Sequence, residues 1–345
     1  MNFRDRILSA VANPIYRARH RVGLLAFKRR SKAPSPLRSA GALQIWAIAL
    51  CALLVLTSCS RTRNNGAELT AQTHEVTDEA GRRVLLPVKI DRIVSLAPNL
   101  TEIVYAVGAG DKLVGDTTYC DFPEAAKSVA KVGDTMRPSV ERIIALKPQV
   151  VLVSTASQLE AFTRQLDEHH IAVYVTNPHN LDEVFKSISN LGSLLNPSVD
   201  DDAARVVGDL QYRTQQVAER LKGAKPVRVF YQVSGEPLYT IGQDAYLTDL
   251  VKRAGGVSVT ADVPTAFPRF SDEAAVAANP DAIILPTGGA MGDANADVAG
   301  SLKRSPAVLH NRVYKINDDH LSRPGPRLVD GLEEMARALH PEAFK

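Results

Sequence analysis

The chain predicts an α/β fold: two lobes with parallel-type sheets covered by helices, joined by one long rigid helix, with a cleft between the lobes. Three observations predict it. Short apolar, strand-like runs alternate with helix-period segments from residue 92 to residue 339, the pattern of parallel sheet covered by helices. The segment SVDDDAARVVGDLQYRTQQVAERLKG interrupts that alternation. It reads as one helix of about 30 Å or more, long enough to cross between two α/β units as a strut. Finally, the two halves echo each other. Glu141 precedes Pro148 and the run VVLV, and Glu273 precedes Pro280 and AIIL, each a short helix, a proline stop and a buried strand.

In chain order, THEVTDEAGRRVLLP places a turn signal at Glu79 to Gly81 between two strand-like runs and predicts a hairpin. Residues 92–97, 113–117, 150–154 and 173–176 read as strands, with helices over 99–107, 139–146, 158–169 and 181–195. The long segment carries Asp200 to Asp202 at its front and Arg220 and Lys222 at its end, matching a helix dipole, and Gly223 and Pro226 stop it. Beyond it, strands are expected at 227–233, 282–285 and 313–316, and helices at 245–254, 272–278, 299–309 and 327–339. The expected division is residues 1–58 as a signal segment, 59–73 as a tether, 74–196 as the first lobe, 197–225 as the connecting helix and 226–345 as the second lobe.

Charge separates the amino terminus from the body. Of 41 basic and 38 acidic residues, ten basic ones and a single acid, Asp5, fall in residues 1–58. That leaves 31 against 37 in the remainder, a formal charge of about −6. A body of that sign gives little support to nucleic-acid binding. With 45% hydrophobic and 23% charged residues, disorder, collagen and coiled coil are excluded.

Lys28, Arg29, Arg30, Lys32 and Arg38 precede a stretch without charge from Ser39 to Ser60, a basic region followed by an apolar one. Its end, Leu56, Thr57, Ser58, Cys59, resembles the bacterial lipobox, which implies cleavage before Cys59 and its lipidation. Two or three acyl chains anchor firmly where one is marginal. An uncleaved transmembrane helix is the alternative, since the run is long enough to span. Either reading puts the body outside the cytoplasm. Residues 61–72 are polar without apolar period and suit a tether. Cys51 and Cys59 lie in this region, so Cys120 alone remains in the body and no disulfide within it is expected.

The common catalytic signatures are missing. Gly108, Gly110 and Gly115 lack dinucleotide spacing and follow a helix, Ser234 in VSGEP lacks the nucleophile-elbow pattern, and no P-loop or H-E-x-x-H occurs. His169 and His170 sit at a helix end and read as surface residues. What remains are loops at the carboxyl ends of strands, where ligands of open α/β sheets bind. They carry Asn99; Tyr119, Cys120, Asp121 and Phe122; Thr135, Met136 and Arg137; Ser154 and Thr155; Phe267, Arg269 and Phe270; and Asp319, His320 and Arg323. Aromatic and polar groups mixed on loops suit an apolar pocket with a few orienting contacts.

The runs RIVSLAPNLTEIVYAVGAGDKLVG, DFP, VERIIALKPQVVLV, FPRFSDEAAVAANPDAIIL and DDHLSRPGPRLVDGL resemble the periplasmic binding proteins with a helical backbone between lobes, which serve importers of cobalamin, haem and iron siderophores. The match is nearest to the cobalamin-binding members and covers roughly residues 74–340. It implies a non-enzymatic monomer, without a cofactor of its own, that hands a metal chelate to an ABC permease dimer with ATPase subunits. It also implies permease docking through Glu141 and Glu273, although an acid at a helix start also stabilises the dipole. The ligand cleft would use Tyr119 and Phe122 from the first lobe and Phe267, Asp319, His320 and Arg323 from the second. The one tryptophan, Trp46, lies in the signal segment, whereas familiar cobalamin clefts are rich in tryptophan. Haem therefore stays open, with Tyr119, Cys120 or His320 as an axial ligand, as does a ferric siderophore held by Arg137, Arg269 and Arg323. A rival from another class is a membrane-tethered α/β enzyme using Asp121 or Asp319 as base, and a structural lipoprotein is a further one.

Overall fold

A computed structural model describes residues 72–154, 159–197, 202–289 and 293–345. The expected signal segment, Cys59, most of the expected tether and Thr155 lie outside the described residues.

The hairpin forms as β1 (Thr73–Thr77) and β2 (Arg83–Pro87), antiparallel, with Val76 facing Val84 across the ladder. Two parallel four-stranded sheets follow. The first is built from β3 (Ile93–Ser95), β4 (Leu113–Gly115), β5 (Val150–Ser154) and β6 (Ala172–Thr176) in the order β4-β3-β5-β6. The second takes β7 (Val227–Tyr231), β10 (Gly256–Ser258), β11 (Ala282–Thr287) and β12 (Val313–Asn317) in the order β10-β7-β11-β12, while β8 (Ser234–Gly235) and β9 (Leu238–Tyr239) form a small separate hairpin. Both sheets follow the same plan, second strand, first, third, fourth, so the sequence echo is one part of a repeated topology. Among the described residues no strand pairs across the two sheets.

Side-chain alternation along the strands explains how the sheets are held. In β5, Val150 and Leu152 face one core and Val151 and Val153 another. In β11, Ala282 and Ile284 face that same first core, and Ile283 faces a third. One face of each sheet therefore packs into a shared core. It is completed by helices α1 (Pro98–Ala106), α4 (Leu181–Leu195), α5 (Asp202–Arg220), α6 (Tyr246–Arg253) and α10 (Leu328–Leu339). The opposite faces pack against α2 (Val140–Ala145) and α3 (Leu159–Asp167) in the first half and α7 (Asp272–Ala278) in the second. Protein cores are close-packed and resist shear, so a common core couples the halves firmly.

Helix α5, within the segment 197–225 expected to connect the lobes, has 19 residues, about 28 Å. It is mostly polar and buries Leu210 and Val217. A Cβ at Gly192 would run into Ala203, so glycine lets α4 and α5 approach closely. Arg213 ties α5 to α10 through Asp330 at 2.6 Å and Glu333 at 3.0 Å.

Three expectations about the second half need correction. The helix expected at 299–309 is broken into a 3-10 turn, Gly300–Leu302, and a short helix α8, Pro306–Leu309. Pro306 lacks an N–H and drives Ser305 into an extended conformation, φ −68 and ψ 155. Gly255, left-handed at φ 80, closes α6, and Gly256–Ser258, where no strand was expected, form β10 at the sheet edge. Part of the loop expected around Asp319 is a one-turn helix, α9 (Asp318–Leu321), started by Asn317, whose Oδ1 accepts from Asp319 N.

Candidate functional site between the two sheets

Loops at the carboxyl ends of strands meet between the two halves. From the first half come α1 and the loop after β4. An acid within the apolar run PNLTEIVYA is costly to bury alone, and Glu102 is only 3% exposed. Its partners come from the other half. Arg327 donates from Nε to Glu102 Oε2 at 3.0 Å and from Nη2 to Oε1 at 2.6 Å, a two-pronged pair. Arg323, 1% exposed, donates from Nη1 to Glu102 Oε1 at 2.9 Å and to Asp121 Oδ1 at 2.8 Å, and its Nη2 lies 2.7 Å from Asp319 Oδ1. Burial alone would pull the Arg323 guanidinium down, but the hydrogen bonds and charges of these carboxylates outweigh it and its affinity for the proton rises. Among the described residues Arg323 Nε has no hydrogen-bond partner. Asn99 Nδ2 adds a bond to Pro324 O at 3.3 Å.

Beside this cluster Phe122 is 45% exposed, and the Arg327 guanidinium carbon lies 4.2 Å from its ring centroid. Lys131 shapes the loop that presents Phe122. Its ammonium donates to Asp116 Oδ1 at 2.7 Å, Cys120 O at 3.1 Å and Ala126 O at 2.9 Å. Burial pushes Asp116 up to about 6 despite that partner.

Two carboxylates stand elsewhere, on corresponding helices. Glu141 and Glu273 are both exposed in the first turns of α2 and α7, and Ser139 and Ser271 cap those helices, accepting from Arg142 N at 3.3 Å and Ala274 N at 3.1 Å. Six residues on, Lys147 and Asn279 both adopt a left-handed conformation, φ 48 and φ 43, before Pro148 and Pro280. The Glu141 backbone N–H and, after it, Ser139 Oγ, which donates to Glu141 Oε2 at 2.9 Å, hold that carboxyl below its ordinary range.

Residues 93–319 match the family model described as periplasmic binding protein. The chain belongs to that family. Within it, the chain is 34% identical over 313 residues to an uncharacterized ABC transporter substrate-binding lipoprotein of Bacillus subtilis, YvrC, spanning 87% of this chain and 98% of that one. It is 31% identical to the vitamin B12-binding protein of Vibrio cholerae over 73% of this chain and 90% of the relative. The crystal structure of periplasmic vitamin B12 binding protein BtuF of Vibrio cholerae superimposes with a TM-score of 0.64 at 30% identity, covering 75% of this chain and all of that one.

In this periplasmic binding protein the sequence-derived cleft residues fall into three groups. Phe122, Asp319 and Arg323 converge as described, with Tyr119, partly buried, in the same loop as Phe122. His320 is held by Glu334 of α10, its Nδ1 2.7 Å from Glu334 Oε1. Phe267 packs half-buried against the shared core. Cys120 is buried, with Thr101 Oγ1 and Thr117 Oγ1 each 3.2 Å from its Sγ, and burial pushes its thiol up. Arg137 and Arg269 are exposed, and Arg269 with Phe270 lines a cavity of about 950 Å³ in the second half rather than the arginine cluster.

Glu102, Arg327 and Lys131 were not among the residues singled out from the sequence. For Glu102 the signal was present, a carboxylate in a buried helical run; for Arg327 it was the spacing of two arginines across RPGPR. Lys131 carries no sequence signal of its role, which depends on three carbonyl and carboxylate oxygens gathered by a loop.

Proposed function

We propose that this chain is the extracytoplasmic substrate-binding component of an ABC importer and that it captures a corrinoid between its two sheets without altering it. The observation that carries this reading is the meeting of Phe122, Asp121 and Glu102 from one half with Arg323, Arg327 and Asp319 from the other. That grouping sets an open aromatic face beside fixed donors and acceptors, which suits a flat conjugated ring bearing polar groups on its edge. The vitamin B12-binding relative, similar over nearly its whole length, supports the same cargo. The shared core supports a small hinge on binding. No covalent step is asked of the protein: Cys120 is enclosed by two threonines, and Asp121 and Asp319 are engaged by Arg323.

Delivery follows from the repeat. Glu141 and Glu273, one on each half, would each meet arginines of one half of a dimeric permease, and ATP hydrolysis by a separate subunit would drive import. Cys59 would carry the lipid that keeps the carrier at the membrane; the lipoprotein relative of Bacillus subtilis supports this.

One observation favours haem as a second reading. The contact of His320 Nδ1 with Glu334 is the arrangement that orients an imidazole and raises the basicity of its other nitrogen toward a metal. Parallel calorimetric titrations of the full chain with cyanocobalamin, haemin and a ferric siderophore separate the readings. Preference for cyanocobalamin supports the first; a haemin complex whose spectrum changes in His320→Ala supports the second. Indifference to all three rejects both.

A further inference from the structure

Phe122 and Arg327 form a layered unit. Glu102 takes two donors of the Arg327 guanidinium, and Arg327 in turn lies over the Phe122 ring at 4.2 Å while that ring stays 45% exposed. A guanidinium fixed at that distance occupies one ring face, so the exposure belongs to the other face and the edge. Glu102 is 3% exposed and the Arg327 side chain 16%, so the backing is built into the interior and is not a mobile surface contact. A cation on one face withdraws electron density from the ring, which weakens its attraction for a second cation on the opposite face. The same polarisation leaves stacking with a neutral or anionic conjugated plane unimpaired.

From this stack we propose that Arg327 is a positioning and specificity-determining residue. It braces Phe122 as a one-sided platform, and it biases that platform toward neutral or anionic planar chelates and against cationic ones. The inference rests on the reading that Phe122 meets the cargo. Arg327 acts through the ring that it braces.

The test is a double-mutant cycle in the full chain, with affinities for cyanocobalamin and haemin measured by absorbance titration in Phe122→Leu, Arg327→Met and the double variant. Arg337→Met serves as control, since Arg337 lies over Phe344 at 5.8 Å on another part of the surface. Each single change in the cluster should weaken binding about tenfold, and the double variant should bind no worse than Phe122→Leu. The control should bind like the unaltered chain. Arg327→Lys keeps the charge but loses the two-pronged grip, and should restore part of the loss. A general loss of folding would lower affinity whether or not Phe122 is present, so the cycle separates bracing from stability. Wild-type affinity in Arg327→Met, or losses that multiply in the double variant, would overturn the inference while leaving the cargo reading intact. An unaltered chain that takes up neither probe would defeat the cargo reading and this inference together.

Discussion

Arg323 and Glu102 are 221 residues apart in the chain and 2.9 Å apart in space, with their side chains 1% and 2% exposed. Each comes from a different half, so the pair ties the second half of the fold to the first. Removing one partner of a buried ion pair strands the other charge, at a cost of about 3–5 kcal/mol. Glu102→Gln leaves both Arg323 and Arg327 without their common carboxylate and should lower unfolding stability by about that amount in chemical denaturation. Arg213→Ala, which breaks the partly exposed pairs with Asp330 and Glu333, should cost no more than about 1 kcal/mol. Equal losses in the two variants would contradict the assignment of Glu102 as a buried hub.

Asp116 makes stability depend on pH in a particular direction. Its carboxyl is raised from 3.8 to about 6, chiefly by burial, with Lys131 opposing. The folded state therefore binds this proton more tightly than the unfolded chain. The resulting stability is fully present below about pH 4 and is lost as pH rises through about 6. Relative to Asp116→Asn, the unaltered protein should lose about 2–3 kcal/mol across that window and then level off. An unaltered protein that gains stability relative to Asp116→Asn as pH rises would reverse the sign and refute the account.

Cys120 should be inert. Its thiol is 2% exposed, hydrogen-bonded to two threonines and pushed up by burial, so the reactive thiolate is scarce. A thiol reagent at neutral pH should label the native body at Cys120 only after denaturant is added. Rapid labelling of the native body would show a loop more open than the one described.

Much of the fold could be read from periodicity. The helix expected at 181–195 spans those residues in the structure, and so does the one at 272–278, because each has an apolar stripe and a capping residue, Asn180 or Ser271, to start it. The second half was harder where local signals conflict: Pro306 divides an otherwise helical segment, and β10 is three residues of edge strand entered through glycines. The meeting point of the two halves was legible where residue type draws attention, as with Phe122, Asp319 and Arg323, which the structure brings together. Hydrogen-bond direction is not written in sequence, so nothing in it placed His320 against Glu334 or Arg327 against Phe122.

Glu141 and Glu273 give the delivery step its test. Both are exposed, so alanine at either should leave folding and ligand affinity unchanged while reducing uptake by whole cells, and the double change should abolish it. Uptake that survives the double change would point to a different docking surface.

The claim that the two halves hold their cargo without reacting with it is tested most directly by equilibrium dialysis of the full chain against cyanocobalamin, with mass analysis of the recovered ligand. One equivalent should be retained, chemically unaltered, and Arg323→Met should retain far less. Failure to retain it, or recovery of a transformed product, would contradict the account.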